Sequence, residues 1–282
     1  RTRENEKAIK QYEKSLDLLA EMKKEGQISQ DFFGREQSSN LINIGMVYKN
    51  LEQNEKGAEY LNKVLPYLIE KEDLALLAVV YFNLAHIHFK SNNLITGKEF
   101  IQKAIYCREQ KFGKDHQSLG PSFTLLAYFE NALGNYTESI NHFKKALAYN
   151  QKAYGVESSA YQRVIQNLAG VYKQVGKYEE AEEIIKEGIN TLKKLPAEYN
   201  LHLLWANNIL AQIWGKQKTK LDSAIIVLEE ALLISKNVYG ENHLTTATLL
   251  NNMSGIYINK NDYLPALNFA QKALFANTPN FN

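Results

Sequence analysis

A single cysteine, Cys107, serves all 282 residues, so the chain can build neither a disulfide framework nor a cysteine-based metal cluster. Its position three residues after Ala104, on an expected helix, marks it as a small half-buried side chain rather than a reactive thiol. No apolar run reaches the roughly 18 residues that a membrane-spanning helix needs. An excess of one charge is missing too. The 33 basic and 31 acidic residues leave a net charge of +2, which argues against a dedicated nucleic-acid binder. The opening Arg1-Thr2-Arg3-Glu4-Asn5-Glu6 has no apolar signal core and no initiator Met, so the chain is expected to be an excised piece of a longer one.

What the chain does have is a beat of small residues about every 42 positions. Leu41-Ile44-Gly45-Tyr48-Gly57-Leu61-Val64 returns as Tyr81-Leu84-Ala85-His88-Gly97-Ile101-Ala104 and as Phe123-Leu126-Ala127-Glu130-Ser139-Phe143-Ala146. It continues as Ile165-Leu168-Ala169-Tyr172-Ala181-Ile185-Gly188, Asn207-Leu210-Ala211-Trp214-Ala224-Leu228-Ala231 and Leu250-Met253-Ser254-Tyr257-Ala266-Ala270-Ala273. Numbered within a repeat, these residues occupy positions 4, 7, 8, 11, 20, 24 and 27. The first four spacings fit one stripe of a 3.6-residue helix. A turn follows, as at Asn92-Asn93, Leu133-Gly134-Asn135, Val175-Gly176-Lys177 and Asn259-Lys260-Asn261-Asp262. Gly and Asn there tolerate the left-handed conformation that ends a helix. The small residue at position 20 then lets a second, antiparallel helix approach closely. A fixed period of this kind is the mark of a solenoid, because no single repeat can bury its own apolar face.

These seven offsets carry a family resemblance. The sequence resembles the tetratricopeptide repeat, which implies an all-α, right-handed solenoid of antiparallel helix pairs, here about six and a half repeats. The extra length over the ordinary 34-residue repeat falls in steps such as Phe112-Gly113-Lys114-Asp115-His116 and Tyr239-Gly240-Glu241-Asn242-His243, similar to the long repeats of the kinesin light chain class. The expected organisation is a single solenoid over 1–282. Residues 1–34 hold the second helix of a truncated repeat plus linker, with Ala8, Tyr12 and Ser15 at positions 20, 24 and 27. Repeats follow at about 38–77, 78–119, 120–161, 162–203, 204–246 and 247–277. Two departures stand out, Glu130 and one extra residue in the turn of repeat five, Gly215-Lys216-Gln217-Lys218-Thr219-Lys220-Leu221-Asp222. Glu130 fills the position-11 slot held by Tyr48, Tyr172 and Tyr257, and is expected to be partly solvated at a helix end. Pro66, Pro121, Pro196 and Pro265 are expected near helix ends or turns.

In such an array the first helices line the concave wall, and positions 2, 6, 9 and 13 share its face. Position 6 reads Asn43, Asn83, Leu125, Asn167, Ile209 and Asn252. A carboxamide offers two donors and an acceptor, so a ladder of Asn can hold the main chain of an extended peptide. The resemblance to kinesin-light-chain-like repeats implies the same for these four asparagines. Leu125 and Ile209 interrupt the ladder as candidate apolar pockets, and His86, Tyr128, Arg163 and Gln174 extend the face. The asparagines have a second reading, as hydrogen bonds between neighbouring repeats.

No enzyme constellation survives scrutiny. His86 and His88 lie two apart and point about 200° apart on a helix, so they cannot share a metal. His116 and His243 occupy the same inter-repeat step, which argues for a structural role. There is no Gly-rich phosphate loop after a strand, and no cofactor is expected. The expected function is a non-enzymatic, cytoplasmic interaction scaffold that binds a protein or peptide ligand, with neither nucleic acid nor membrane as partner. The ending Ala276-Asn277-Thr278-Pro279-Asn280-Phe281-Asn282 resembles the junction before a caspase-like CHAT peptidase in bacterial proteins, which implies a protease domain beyond residue 282 as a further partner. Two alternatives remain: an oligomerisation scaffold without a free ligand, and a peptide-responsive regulator.

Overall fold

The computed structural model describes residues 2–277, so all but the first two residues of the 276–282 ending that resembles a peptidase junction lie outside the described residues. In chain order the helices are α1 (Thr2–Lys24), α2 (Gln30–Asn50), α3 (Asn54–Glu70), α4 (Leu74–Lys90), α5 (Leu94–Phe112), α6 (Leu119–Ala132) and α7 (Tyr136–Tyr154). They continue as α8 (Ser159–Gln174), α9 (Tyr178–Leu192), α10 (Asn200–Gln217), α11 (Leu221–Tyr239), α12 (Leu244–Asn259) and α13 (Tyr263–Asn277). A short 3-10 turn, Ala197–Tyr199, precedes α10, and no strand occurs among the described residues. The chain forms two compact units, residues 1–142 and 143–282, each considered by itself.

Within each unit, helices adjacent in sequence pack against each other, α1 on α2 through α5 on α6 in one and α8 on α9 through α12 on α13 in the other. The turns between them are built as the sequence requires. Asn92, Gly134, Gly176 and Asn261 all take positive φ, at 58°, 82°, 78° and 61°. Glu52 does the same at 61° without the freedom of glycine. In the longer turn before α11, both Lys218 and Lys220 are left-handed.

The small residues set how closely helices approach. A Cβ added to Gly57 would lie 3.1 Å from the Gly45 carbonyl oxygen and 3.2 Å from the Lys49 nitrogen, so α2 and α3 meet backbone to backbone there. Where serine takes a small position, its hydroxyl donates to the facing carbonyl, Ser139 to Ala127 and Ser254 to Ala266, both at 2.8 Å. Around these contacts Leu61, Ile101, Ile185 and Leu228 are fully buried. Each contributes about 1.5–3 kcal/mol of transfer free energy.

Position 11 pairs with an aromatic at position 23. Tyr48 stacks on Tyr60 at 5.5 Å, His88 on Phe100 at 5.3 Å and Tyr257 on Phe269 at 5.4 Å. The third repeat cannot do this, because Glu130 replaces the aromatic, and His142 stacks on Phe123 instead. Glu130 corrects the expectation of partial solvation. It is 4% exposed, pairs with Lys98 Nζ at 2.9 Å and accepts from Asn135 Nδ2 at 2.8 Å. Burial raises the pKa of such a carboxyl, but the hydrogen bonds from Asn135 and Lys98 outweigh it and hold Glu130 below the usual carboxylate range.

Proline placement is also partly corrected. Pro121 and Pro265 fall in the first turns of α6 and α13, and Pro196 precedes the 3-10 turn, whereas Pro66 lies inside α3. The two linker histidines serve as helix starts. His116 stacks on Phe112 at 4.7 Å and its Nδ1 accepts from the Ser118 N–H. His243 stacks on Tyr239 at 4.4 Å and its Nδ1 accepts from the Thr245 N–H. Each imidazole satisfies one orphan donor of the helix that follows.

Candidate functional site

The first helices of consecutive repeats are neighbours, α2 with α4 and α4 with α6 in one unit, α8 with α10 and α10 with α12 in the other. Their shared face is therefore where side chains from three repeats converge, and the two units present different versions of it.

In the first unit this face is largely occupied by the protein itself. Asn83 is buried, its Nδ2 donating to the Val79 carbonyl at 2.8 Å and its Oδ1 accepting from Lys49 Nζ at 2.6 Å. Burial lowers the pKa of Lys49, so this ammonium depends on its carboxamide partner. His86 is half-buried nearby. Burial, then the charges of Lys49 and Lys90, lower its pKa and keep the ring neutral at pH 7. Asn43 is half-buried, and Leu125 is buried rather than open to a groove. Tyr128 lies 6.0 Å from the Phe89 ring.

The second unit leaves the corresponding face open. A cavity of about 620 Å³ runs across α8, α10 and α12, with Lys173, Gln212, Lys216, Asn251, Asn252 and Asn259 among its walls. Lys173 donates to Gln212 Oε1 across two repeats, and burial, then the neighbouring Lys216, holds its pKa below the ordinary lysine range. Asn252 Nδ2 donates to Asn208 Oδ1 at 2.7 Å, and Asn259 Nδ2 to the Gly215 carbonyl at 2.9 Å. Asn252 thus lines the cavity and braces two repeats at once. Asn167 and Ile209 are half-buried, while Arg163 and Gln174 are exposed.

Sequence reasoning missed Lys173, Asn208 and Asn251. They occupy positions 12 and 5 of their repeats, beside the chosen positions 2, 6, 9 and 13. Widening the face by one residue on each side captures all three, since a helix facing two neighbours exposes a broad stripe. Among the described residues no group of three His, Cys, Asp or Glu side chains could hold a metal ion, and no helix is long and apolar enough to cross a membrane.

Comparison with known proteins bears on the fold. A clustered mitochondria protein homolog from Kluyveromyces lactis is 28% identical over 65% of this chain, and the chain spans 14% of that protein's length. A putative kinesin light chain with nearly identical tetratricopeptide-like repeats, from Podosopora anserina, superposes with a TM-score of 0.61 at 17% identity, covering 72% of this chain and 95% of that one. A signal transduction ATPase with a tetratricopeptide repeat sensor, from Pyrococcus horikoshii, superposes with a TM-score of 0.73 at 19% identity, covering 95% of this chain and 39% of that one. Models of the tetratricopeptide repeat match residues 38–65, 78–110, 119–194 and 202–274. With the all-helical stack of paired helices, these matches establish that the chain belongs to the tetratricopeptide repeat family.

Proposed function

We propose that this chain is a protein-protein interaction module that receives an extended peptide, or an extended segment of a partner, on the first-helix face of its second unit. The observation that carries this reading is the open cavity across α8, α10 and α12, walled by carboxamides and lysines. Carboxamides can pair with the alternating N–H and C=O groups of any extended main chain, and lysine stems add apolar contact beside their charges. The reading includes the ladder residues Asn167, Ile209 and Asn252 and the flanking Arg163 and Gln174. In the first unit the corresponding face would offer Asn43, His86 and Tyr128, with Asn83 and Leu125 supporting from below.

The same face in a longer protein would suit a sensing role, as in the Pyrococcus ATPase whose tetratricopeptide repeats are described as its sensor. The regulated activity, a CHAT-type peptidase in the sequence reading, would reside outside these residues, and the module itself would catalyse nothing. A second reading, a scaffold with no free ligand, is favoured by one observation: Asn83 and Asn252 already spend hydrogen bonds on neighbouring repeats.

A triple variant, Gln212→Ala with Lys216→Ala and Asn251→Ala, separates the two. Lys216 and Asn251 are exposed and Gln212 is half-buried, so losing the Lys173 hydrogen bond is expected to lower the melting temperature by no more than about 2–4 °C. Partner capture from the source organism's extract is expected to fall at least tenfold. Undiminished capture by the triple variant would move the binding site off this face.

A further inference from the structure

Resting on the reading above, we infer that the groove of the second unit selects an acidic extended segment, and that Gly170 and Gly255 are there to let its main chain lie directly against α8 and α12. Charge is the first ground. Lys173, Lys216 and Lys218 all line the cavity and no acidic side chain does. Neither Lys216 nor Lys218 has a carboxylate partner among the described residues, and Lys173 donates to a neutral carboxamide. Like charges gathered on one wall are unfavourable by themselves and are relieved by a ligand of opposite sign. Asn208, 4% exposed, accepts from the cavity-lining Asn252 and so fixes that carboxamide in the wall.

The glycines are the second ground. Gly34, Gly45, Gly57, Gly97, Gly188 and Gly215 are explained by packing, since an added Cβ at each would meet another atom at 3.2 Å or less. Gly170 and Gly255 are not: an added Cβ at either meets nothing within 4 Å. Both lie inside helices, where glycine is a poor choice beside alanine, and neither has positive φ. The fold gains nothing from them. Both stand at position 9 of their repeats, with Gln212 at the same position of α10 between them, and Gly255 lines the cavity. Three neighbouring helices at about 9–10 Å spacing give a row roughly 20 Å long. That row matches about six residues of extended chain. Bare helix backbone at its ends and a carboxamide at its centre leave room for a ligand's own backbone.

The probe is a phage-displayed library of random eight-residue peptides, panned on the wild-type chain, on Gly170→Ala and Gly255→Ala, and on Lys173→Met with Lys216→Met. Enriched peptides are expected to carry a clear excess of Asp and Glu and to lose capture by the lysine variant. Each glycine variant is expected to melt about 2–4 °C higher, because alanine favours the helix. It is also expected to bind the enriched peptides roughly tenfold more weakly, because one methyl group now stands in the ligand's path. Enrichment of neutral or basic peptides, or undiminished binding by the glycine variants, overturns the inference and leaves the binding reading standing. No enrichment on the wild type overturns both.

Discussion

Replacing Lys98 with Met is expected to destabilise the protein by about 3 kcal/mol at pH 7, far more than an exposed lysine would cost. The reason is the side chain it leaves behind. Glu130 is 4% exposed and would retain the Asn135 hydrogen bond and the weaker electrostatic influence of His142. A buried carboxylate stripped of its counter-ion either stays charged at high cost or takes up a proton. The pH dependence separates this account from simple loss of packing. In the native protein the Glu130 pKa is depressed, so its contribution is complete above the ordinary carboxylate pKa and is lost as pH falls through the depressed value. In Lys98→Met burial dominates and the pKa rises above its ordinary value. The variant is then relatively more stable at acid pH and loses stability as pH rises through the raised value. Thermal melts between pH 3 and 8 should therefore show opposite slopes for the two proteins. The double variant Lys98→Met with Glu130→Leu, which leaves no buried charge, should recover most of the lost stability. A Lys98→Met protein with wild-type stability would mean that the ion pair is incidental.

Phe129→Ala is expected to cost about 4 kcal/mol, the upper range for an aromatic removed from a close-packed interior. Phe129 is fully buried, meets Phe89 edge to face at 5.1 Å, and lies directly over Gly97. An added Cβ at Gly97 would come within 2.4 Å of the Phe129 ring. Gly97→Ala should therefore destabilise by roughly 2 kcal/mol through overpacking, although alanine is the better helix former. Gly97→Ala with Phe129→Leu should be more stable than the two single costs predict, because the smaller side chain vacates the space the new methyl needs. Denaturant melts of the four proteins give this coupling directly. Strict additivity would contradict the claim that position 20 is small in order to admit a neighbouring helix.

Those two residues also mark where sequence reading succeeds and where it stops. The period exposed Gly97 and its counterparts, because a residue that must be small in every repeat leaves a signal at a fixed interval. The turn residues Asn92, Gly134, Gly176 and Asn261 were legible for a related reason, since few side chains accept a left-handed backbone. Pairings between repeats left no such trace. Lys98 lies 32 residues before Glu130, on a different helix of a different repeat, and only the fold brings them together. The asparagine ladder was legible as a row of positions but not as a division of labour. Nothing in the composition distinguishes Asn83, consumed by Lys49, from Asn252, which also lines an open cavity. Lys173 escaped because the chosen stripe was one residue too narrow. Position 9 put Gly170 and Gly255 on the concave face, apart from Gly45 at position 8, but only coordinates show that nothing packs beside them.

Acid sensitivity in the second unit has a separate source. Glu182 is held down to about 2 because hydrogen bonds from Lys186 and Lys220 outweigh the opposing effect of burial. Both lysines also flank the Trp214 ring, at 5.5 and 5.7 Å from its centre. The cluster is partly solvated, so screening limits its contribution to about 1 kcal/mol, present at neutral pH and lost as pH falls toward 2.

The central claim is that the working surface is the first-helix face of the second unit. Hydrogen exchange of the chain with and without its captured partner tests this most directly. Partner-dependent protection is expected in α8, α10 and α12, around Gly170, Gln212 and Gly255, with little change in α9, α11 and α13. Protection confined to the second helices, with α8, α10 and α12 unchanged, would contradict it.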